Sequence, residues 1–320
     1  MSMKLLASGL LATMAFVVAP LAAAAWPERP VRIVVPYPPG GSADNVTRLL
    51  AKALSERTGQ TVLVDNRAGG NGAIGTLAVL GAEPDGYTLG YGNINTLAIN
   101  PALYKTLSYD PEAVAPVVEF MKTANLLLVS PASPLSSVEE LVTQGRQREL
   151  TMGSAGNGTT PHLAGELLRL GAGIRVLHVP YKGGAAALQD LMGGQLDFAF
   201  DNITTASELV KAGRLKALAI ASPERLPQME NIPTFEELGI PDMEIEAWAG
   251  LVVPEGVDDA TIRQINTLVN EALQTPALRD AYRRIGAVPL GGSVEAFADK
   301  LAQEKHRWVE LVKDAGITVN

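Results

Sequence analysis

The chain has 320 residues, 47% of them hydrophobic and 19% charged, a balance that supports a large buried core and excludes disorder as the main state. With 34 acidic against 26 basic side chains the net charge is −8, which leaves no basic footprint for a nucleic-acid backbone. The absence of cysteine removes disulfides, thiolate metal sites, thiol nucleophiles and the acylated cysteine of a lipoprotein; three histidines, His162, His178 and His306, leave little for a metal centre.

Residues 1–25 differ in kind from the rest. Lys4 is their only charge, an apolar run follows, Pro20 breaks it, and alanines at 22–25 offer the small side chains a signal peptidase selects. The stretch reads as a secretory signal peptide cleaved near Ala24 to Ala25, in preference to a retained membrane anchor. No later run reaches the ~20 apolar residues of a spanning helix, so the exported product is expected to be soluble, with 25 basic against 34 acidic residues.

Short β-branched runs then alternate with longer amphipathic ones. Strands are predicted over 31–36, 61–64 and 88–91, with helices over 43–58 and 73–82 between them. The rhythm restarts with strands over 126–130, 150–153, 175–180, 197–200 and 215–221, and helices over 138–146, 160–170, 185–192 and 207–212. Such alternation implies parallel sheets with helices on both faces, and two restarts imply two lobes. The tail, 258–319, is helical by pattern, broken at Thr275-Pro276 and Gly291-Gly292, without an evident sheet of its own. It is expected to pack back on the first lobe, so that the chain crosses between lobes near 121–126 and again near 246–251. Residues 26–124 and 248–320 then form one discontinuous lobe and 125–247 the other, hinged around a cleft.

Three glycine-rich turns sit between a strand and a helix: Tyr37-Pro38-Pro39-Gly40-Gly41-Ser42-Ala43-Asp44, Asp65-Asn66-Arg67-Ala68-Gly69-Gly70-Asn71-Gly72, and Gly153-Ser154-Ala155-Gly156-Asn157-Gly158-Thr159-Thr160. In parallel sheets these turns lie at the carboxyl ends of strands, where ligands bind, and free N–H groups at a helix start make an anion cradle. Each turn taken singly is equally explained by helix capping through Ser42, Thr159 or Thr160. Together, two from one lobe and one from the other, they favour a shared ligand.

Other chemistries fit less well. Gly70-Asn71-Gly72-Ala73-Ile74-Gly75 matches G-x-G-x-x-G, but five residues separate the strand from its first glycine and no acidic residue stands at the ribose position, so no nucleotide cofactor is expected. Neither Ser42 nor Ser154 has the flanking glycines of a nucleophile elbow, and His162 with Glu166 lacks the further ligands of a metal site. An exported hydrolase using Ser154 or Ser42 with His162 remains the rival from another class. His178 reads as a hydrogen-bonded core residue and His306 as a surface one.

In these turns the chain strongly resembles the solute receptors of tripartite tricarboxylate transporters, the Bug family. The matching stretches include Pro36-Tyr37-Pro38-Pro39-Gly40-Gly41-Ser42-Ala43-Asp44, Asp65-Asn66-Arg67, Asp85-Gly86-Tyr87-Thr88-Leu89, Gly153-Ser154 through Glu166, Val179-Pro180-Tyr181-Lys182-Gly183-Gly184 and Gly193-Gly194-Gln195-Leu196-Asp197, in the family's order over nearly all of the chain after 25. The resemblance implies an α/β, two-lobed periplasmic-binding-protein fold of the type II, Venus-flytrap kind, each lobe a mainly parallel sheet flanked by helices. It also implies a periplasmic receptor, acting as a monomer and not an enzyme, that closes on a small organic carboxylate, or a related amino acid or amide, and delivers it to the membrane permease; a receptor that informs a membrane sensor kinase is the alternative within the same fold.

Carried over residue by residue, the resemblance assigns Tyr37, Gly40, Gly41 and Ser42 to a first ligand loop supported by Asp44, and Gly70 and Asn71 to a second. Asn95 and Thr96 follow the third strand. The other lobe supplies Ser154, Gly158, Thr159, Thr160, Asp201 and Asn202, and Trp248 at the return crossing would wall the cleft. Tyr37 where phenylalanine is commoner, Ala68 for a usual proline and Gly70-Asn71 for a usual Ala-Gly are departures that bear on the far end of the ligand. The candidate positions are mostly Gly, Ser, Thr and Asn with Arg67 and Lys182 the nearby cations, so backbone and hydroxyl donors would hold the carboxylate. Asp201 would either orient a donor or repel a second charge, unless it caps the helix beginning near Thr204.

Overall fold

The computed structural model describes residues 26–315, with side chains through 312; the expected signal peptide, 1–25, lies outside the described residues. The chain opens with β1 (Val31–Val35), α1 (Ser42–Thr58), β2 (Val62–Asn66), α2 (Ala73–Leu80) and β3 (Thr88–Asn93). β1 is a β-branched run whose side chains are buried at four of five positions. α1 buries Val46, Leu50, Ala51 and Leu54 on one face and stops at Gly59, whose φ of 70° is the left-handed conformation glycine takes at helix ends. Both βα units give parallel pairs, with β1 between β2 and β3.

Beyond β3 the structure departs from the predicted pattern. A π-helical turn (Asn95–Ile99) runs into α3 (Asn100–Leu103), and a ten-residue strand follows, β4 (Val114–Thr123). The second sheet then begins at once with β5 (Asn125–Val129), followed by α4 (Val138–Gln147), β6 (Leu150–Ser154), α5 (Thr160–Ala172), β7 (Val176–Pro180), α6 (Gly184–Met192), β8 (Phe198–Asn202), α7 (Ile203–Lys211) and β9 (Lys216–Ala221). α4 starts with a side-chain cap: Ser137 Oγ accepts Glu140 N–H at 3.1 Å, and the Glu140 carboxylate accepts the N–H of Ser136, the residue before the cap, at 2.6 Å.

The chain returns along β10 (Ala247–Pro254), which inserts antiparallel between β3 and β4 in the first sheet. The tail forms α8 (Asp259–Leu273), α9 (Pro276–Ile285), a two-residue strand β11 (Val288–Pro289) and α10 (Val294–Ala315). The sheet orders are β11-β4-β10-β3-β1-β2 and β7-β6-β8-β5-β9. This is the two-lobed α/β fold the sequence implies, with one difference. Each sheet is parallel only in its βα half and antiparallel where β4, β10, β11, β5 and β9 join it, because strands that cross between lobes must run out and back. β11 also gives the tail a strand, paired with β4, where helices alone were expected.

The crossings are tied together. Buried Asn125, the first residue of β5, donates from Nδ2 to the carbonyl of Ile245 on the return path at 3.3 Å. α10 presents Phe297, Leu301 and Trp308 to a cluster that includes Leu163, Phe198 and Phe235 of the second sheet's layers, so the last helix covers both lobes behind the cleft.

Candidate functional site

A cavity of about 300 Å³ lies between the two sheets. Its lobe-one wall is the β1–α1 turn with Tyr91, Asn93 and Asn95; its lobe-two wall is Thr159, Thr160 and Pro161 at the start of α5, the β7–α6 turn from Lys182 to Ala186, Gln189, and Asp201 and Asn202 at the end of β8. Three helices begin on this cavity. The N-caps of α1, α5 and α6, which are Gly41, Thr159 and Gly183, make no side-chain capping bond, so their first-turn N–H groups are left for an occupant. On α4 and α8, by contrast, Ser137 and Asp258 cap the first turn; α2, α7 and α9 also lack a side-chain cap, and α7, which follows Asn202 on the wall, has its first N–H taken by the Ala124 carbonyl at 3.0 Å. Three N-termini without a side-chain cap and Lys182, the one cation among the described residues of the wall, make a site for negative charge held by backbone donors.

The lobes are in contact across the cleft. The Thr204 hydroxyl hydrogen-bonds Ser42 Oγ, Asn45 Nδ2 donates to the Thr204 carbonyl at 3.3 Å, and Asn95 Nδ2 donates to the Gly158 carbonyl at 3.1 Å. These three links draw on α1, α7, the π-helical turn and the β6–α5 turn, so the cleft stands closed.

Of the residues singled out from sequence, Tyr37, Gly41, Ser42, Asn95, Thr159, Thr160, Asp201 and Asn202 line the cavity. Tyr37 exchanges hydrogen bonds with the Asn93 amide, and burial raises its phenol far above the usual range, so it stays neutral. Asn202 Nδ2 donates to Asn125 Oδ1 at 2.8 Å, joining the cavity to the crossing strand. Asp201 does not cap α7: its Oδ1 accepts the N–H of Asn202, the residue that precedes the helix, at 2.6 Å.

The remaining candidates stand elsewhere. Gly40 turns away and donates its N–H to Asp44 at 2.9 Å, while Asp44 also pairs with Arg48; both shape the first loop from behind. Gly70 and Asn71 lie in a one-turn helix whose Asn71 amide hydrogen-bonds the Tyr104 hydroxyl, and the second glycine turn is off the wall. Thr96 is spent on Asn93, its hydroxyl 3.0 Å from Oδ1. Gly158 meets lobe one rather than the cavity. Trp248, expected as a cleft wall, is 2% exposed, packs edge-on against Phe297 and donates its indole N–H to Glu304 at 3.2 Å; β10 is covered on both faces, which turns this side chain into the core behind the cleft.

Ser154 is sealed in as well. Its hydroxyl lies 2.7 Å from His178 Nε2, whose ring stacks on His162 with centroids 4.1 Å apart, while His162 Nδ1 accepts Gly158 N–H at 3.1 Å. Burial lowers both imidazoles, His178 to about 3 with His162 adding to the effect, so both are neutral at pH 7. The serine–histidine pair is therefore Ser154 with His178, not His162, and Ser154 has no exposed surface.

Sequence reasoning overlooked the β7–α6 turn as a ligand loop. Its signal was present: Val35-Pro36-Tyr37 before Gly40-Gly41 recurs as Val179-Pro180-Tyr181 before Gly183-Gly184, one strand–turn–helix start from each lobe meeting at the cavity.

Residues 46–317 match the family model described as tripartite tricarboxylate transporter family receptor. The chain belongs to this family. It is 35% identical to Protein BugT of Bordetella pertussis over 96% of each chain. Among solved structures it is similar to R. palustris Rpa4515 with adipate, at 36% identity and a TM-score of 0.88 over 92% of this chain and 99% of that one. It is also similar to MatC of Rhodopseudomonas palustris with bound malate, at 30% identity and a TM-score of 0.83 over 90% of this chain and all of that one (100%). Membership makes the chain a solute receptor of a carboxylate-binding family and accounts for a cleft of backbone donors between two lobes.

Proposed function

We propose that this receptor captures a small carboxylate in the cavity between its lobes and hands it to the permease of a tripartite transporter at the membrane, after export to the periplasm under the direction of residues 1–25. The observation that carries the reading is the convergence of three uncapped helix N-termini from both lobes on one cavity. Adipate and malate in two relatives support the substrate class. With Lys182 the single cation on the wall, a mono- or dicarboxylate carrying at most one further polar group suits the cavity better than a fully ionised tricarboxylate.

The test is thermal unfolding of the purified protein against acetate, succinate, malate, adipate, glutamate, nicotinate and citrate, with native mass spectrometry for a co-purified acid. A ligand that binds only the folded state adds about 2.7 kcal/mol at a hundredfold excess over Kd, which is several degrees of melting temperature. No shift with any member and no trapped acid would overturn the reading.

A further inference from the structure

One group on the cavity wall is left unexplained by carboxylate capture alone. Asp201, at the end of β8, is 1% exposed. Its Oδ1 takes the Asn202 N–H, but its Oδ2 is buried without a hydrogen-bond partner. α6 starts directly against it, so closely that a Cβ on Gly184 would overlap the carboxyl group. A cavity shaped for an anion thus keeps a half-satisfied acid in its wall. As a carboxylate, Asp201 would be poorly solvated and would repel the ligand's own charge. With a proton on Oδ2 the same group is neutral, and the repulsion toward an anion in the cavity is gone.

Resting on the receptor reading above, we propose that Asp201 is protonated whenever the ligand is bound, so that capture of one carboxylate is coupled to uptake of one proton from solvent onto Oδ2. That proton stays on Asp201 while the anion occupies the cavity and returns to solvent when the cleft opens; no covalent bond of the ligand changes.

The surroundings suit this role. Burial pushes the Asp201 carboxyl up to about 7, with the Asn202 N–H pulling the other way, so the free protein holds the group near its midpoint at neutral pH. Among the described residues Asp201 is the one acid on the wall, and Lys182 from the β7–α6 turn is the one cation. Tyr37 and Tyr91 line the same cavity from lobe one, both raised by burial and neutral. Behind the first loop, hydrogen bonds from Arg48 and Gly40 outweigh burial and hold Asp44 ionised. On the lobe-two side His162 of α5 and His178 of β7 are lowered by burial and neutral, Glu166 of α5 is paired with Arg169, and Glu208 of α7 is paired with Lys211.

The test is titration calorimetry of the full protein with malate, succinate and adipate at pH 6.5 and 8.5, each in two buffers of different ionisation enthalpy, which yields protons taken up per ligand bound. Wild type should take up close to one proton at pH 8.5 and only a fraction at pH 6.5. Its affinity should fall about tenfold per pH unit above neutrality. Asp201→Asn, which keeps a donor, should show no uptake and a flat pH profile. Binding without uptake at pH 8.5 overturns the proton coupling and leaves the receptor reading standing, and it needs no variant. Equal uptake by Asp201→Asn overturns the assignment to Asp201. No heat with these three acids or with the other acids of the melting panel, and no trapped acid, overturns both.

Discussion

Replacing Gly184 with alanine tests how closely α6 is fitted to the cavity wall. Gly184 is the first residue of α6 and, unlike Gly183 at φ 129°, does not occupy the left-handed region, so alanine adds a methyl group without backbone strain. That methyl falls on the Asp201 carboxyl group, which has little room to withdraw: it is 1% exposed, is held by Asn202 N–H at 2.6 Å, and sits in register with Leu126 of β5. Overpacking of this kind costs about 1–3 kcal/mol. At about 2–4 °C per kcal/mol for a large domain, the apo protein should melt roughly 5 °C lower, measured by scanning calorimetry. Displacing the carboxyl toward the cavity should also weaken carboxylate binding by about tenfold or more, the equivalent of roughly 1.4 kcal/mol. Gly193→Ala at the other end of the same helix meets only the Gln189 and Asp190 carbonyls at 3.5 Å and should change neither quantity. The double variant Gly184→Ala/Asp201→Ala should regain most of the lost stability, because the methyl then enters vacated space. A Gly184→Ala protein that melts and binds like wild type would refute the fit described here.

Two glycines at the cleft should respond differently to valine. A Cβ on Gly41 meets nothing nearer than the Pro38 carbonyl at 3.8 Å, so Gly41→Val should fold normally yet abolish carboxylate binding in calorimetry. Gly158, at φ +69° and facing Leu103 and Asn100 of the other lobe at 3.2 and 3.3 Å, should lose about 1–3 kcal/mol on conversion to valine and leave the cleft open, seen as a larger radius of gyration in X-ray scattering. Asp201 and His178 should pull stability in opposite directions with pH. His178, lowered from 6.5 to about 3, stays neutral in the fold while the unfolded chain gains a proton, so its contribution is lost as pH falls from 6.5 toward 3. Asp201, raised from 3.8 to about 7, keeps a proton that the unfolded chain sheds, so its contribution is lost as pH rises through that interval. Apo Asp201→Asn should therefore gain on wild type between pH 4 and 8 in denaturant titrations, and parallel curves for the two would contradict the buried acid.

The βα rhythm was legible because each unit repeats one local pattern, β-branched strand, glycine turn, amphipathic helix. β4 was not: Pro116 and Glu119 interrupt its apolar run, and its partners are β10 and β11, more than a hundred residues away in sequence. The π-helical turn was hidden by Asn95, Thr96 and Asn100, residues that read as loop but here bury their side chains in hydrogen bonds to the Gly158 carbonyl, Asn93 Oδ1 and the Asn71 carbonyl. At the site, the first and third glycine turns supply part of the wall because they open helices that point at it. The second turn has the same composition but hydrogen-bonds to Tyr104 and Asn100 instead, a tertiary choice that composition does not encode. Trp248 failed as a cleft residue for a similar reason: an aromatic at a crossing serves equally as wall or as core, and only α10 lying over it decides.

That covering helix also bears on where the two lobes can part. Trp248 and Trp308 donate their indole N–H groups to one carboxylate oxygen of Glu304 at 3.2 and 3.1 Å, and the apolar cluster around them takes members from both sheets. Of the three apolar clusters among the described residues two lie within one lobe each, and the third, to which the helix Val294–Ala315 supplies Phe297, Leu301 and Trp308, is shared by both. A shared apolar cluster behind the cleft resists parting there, so separation of the lobes is confined to the cleft side, where the links from Thr204 to Ser42, Asn45 to Thr204 and Asn95 to Gly158 hold them together.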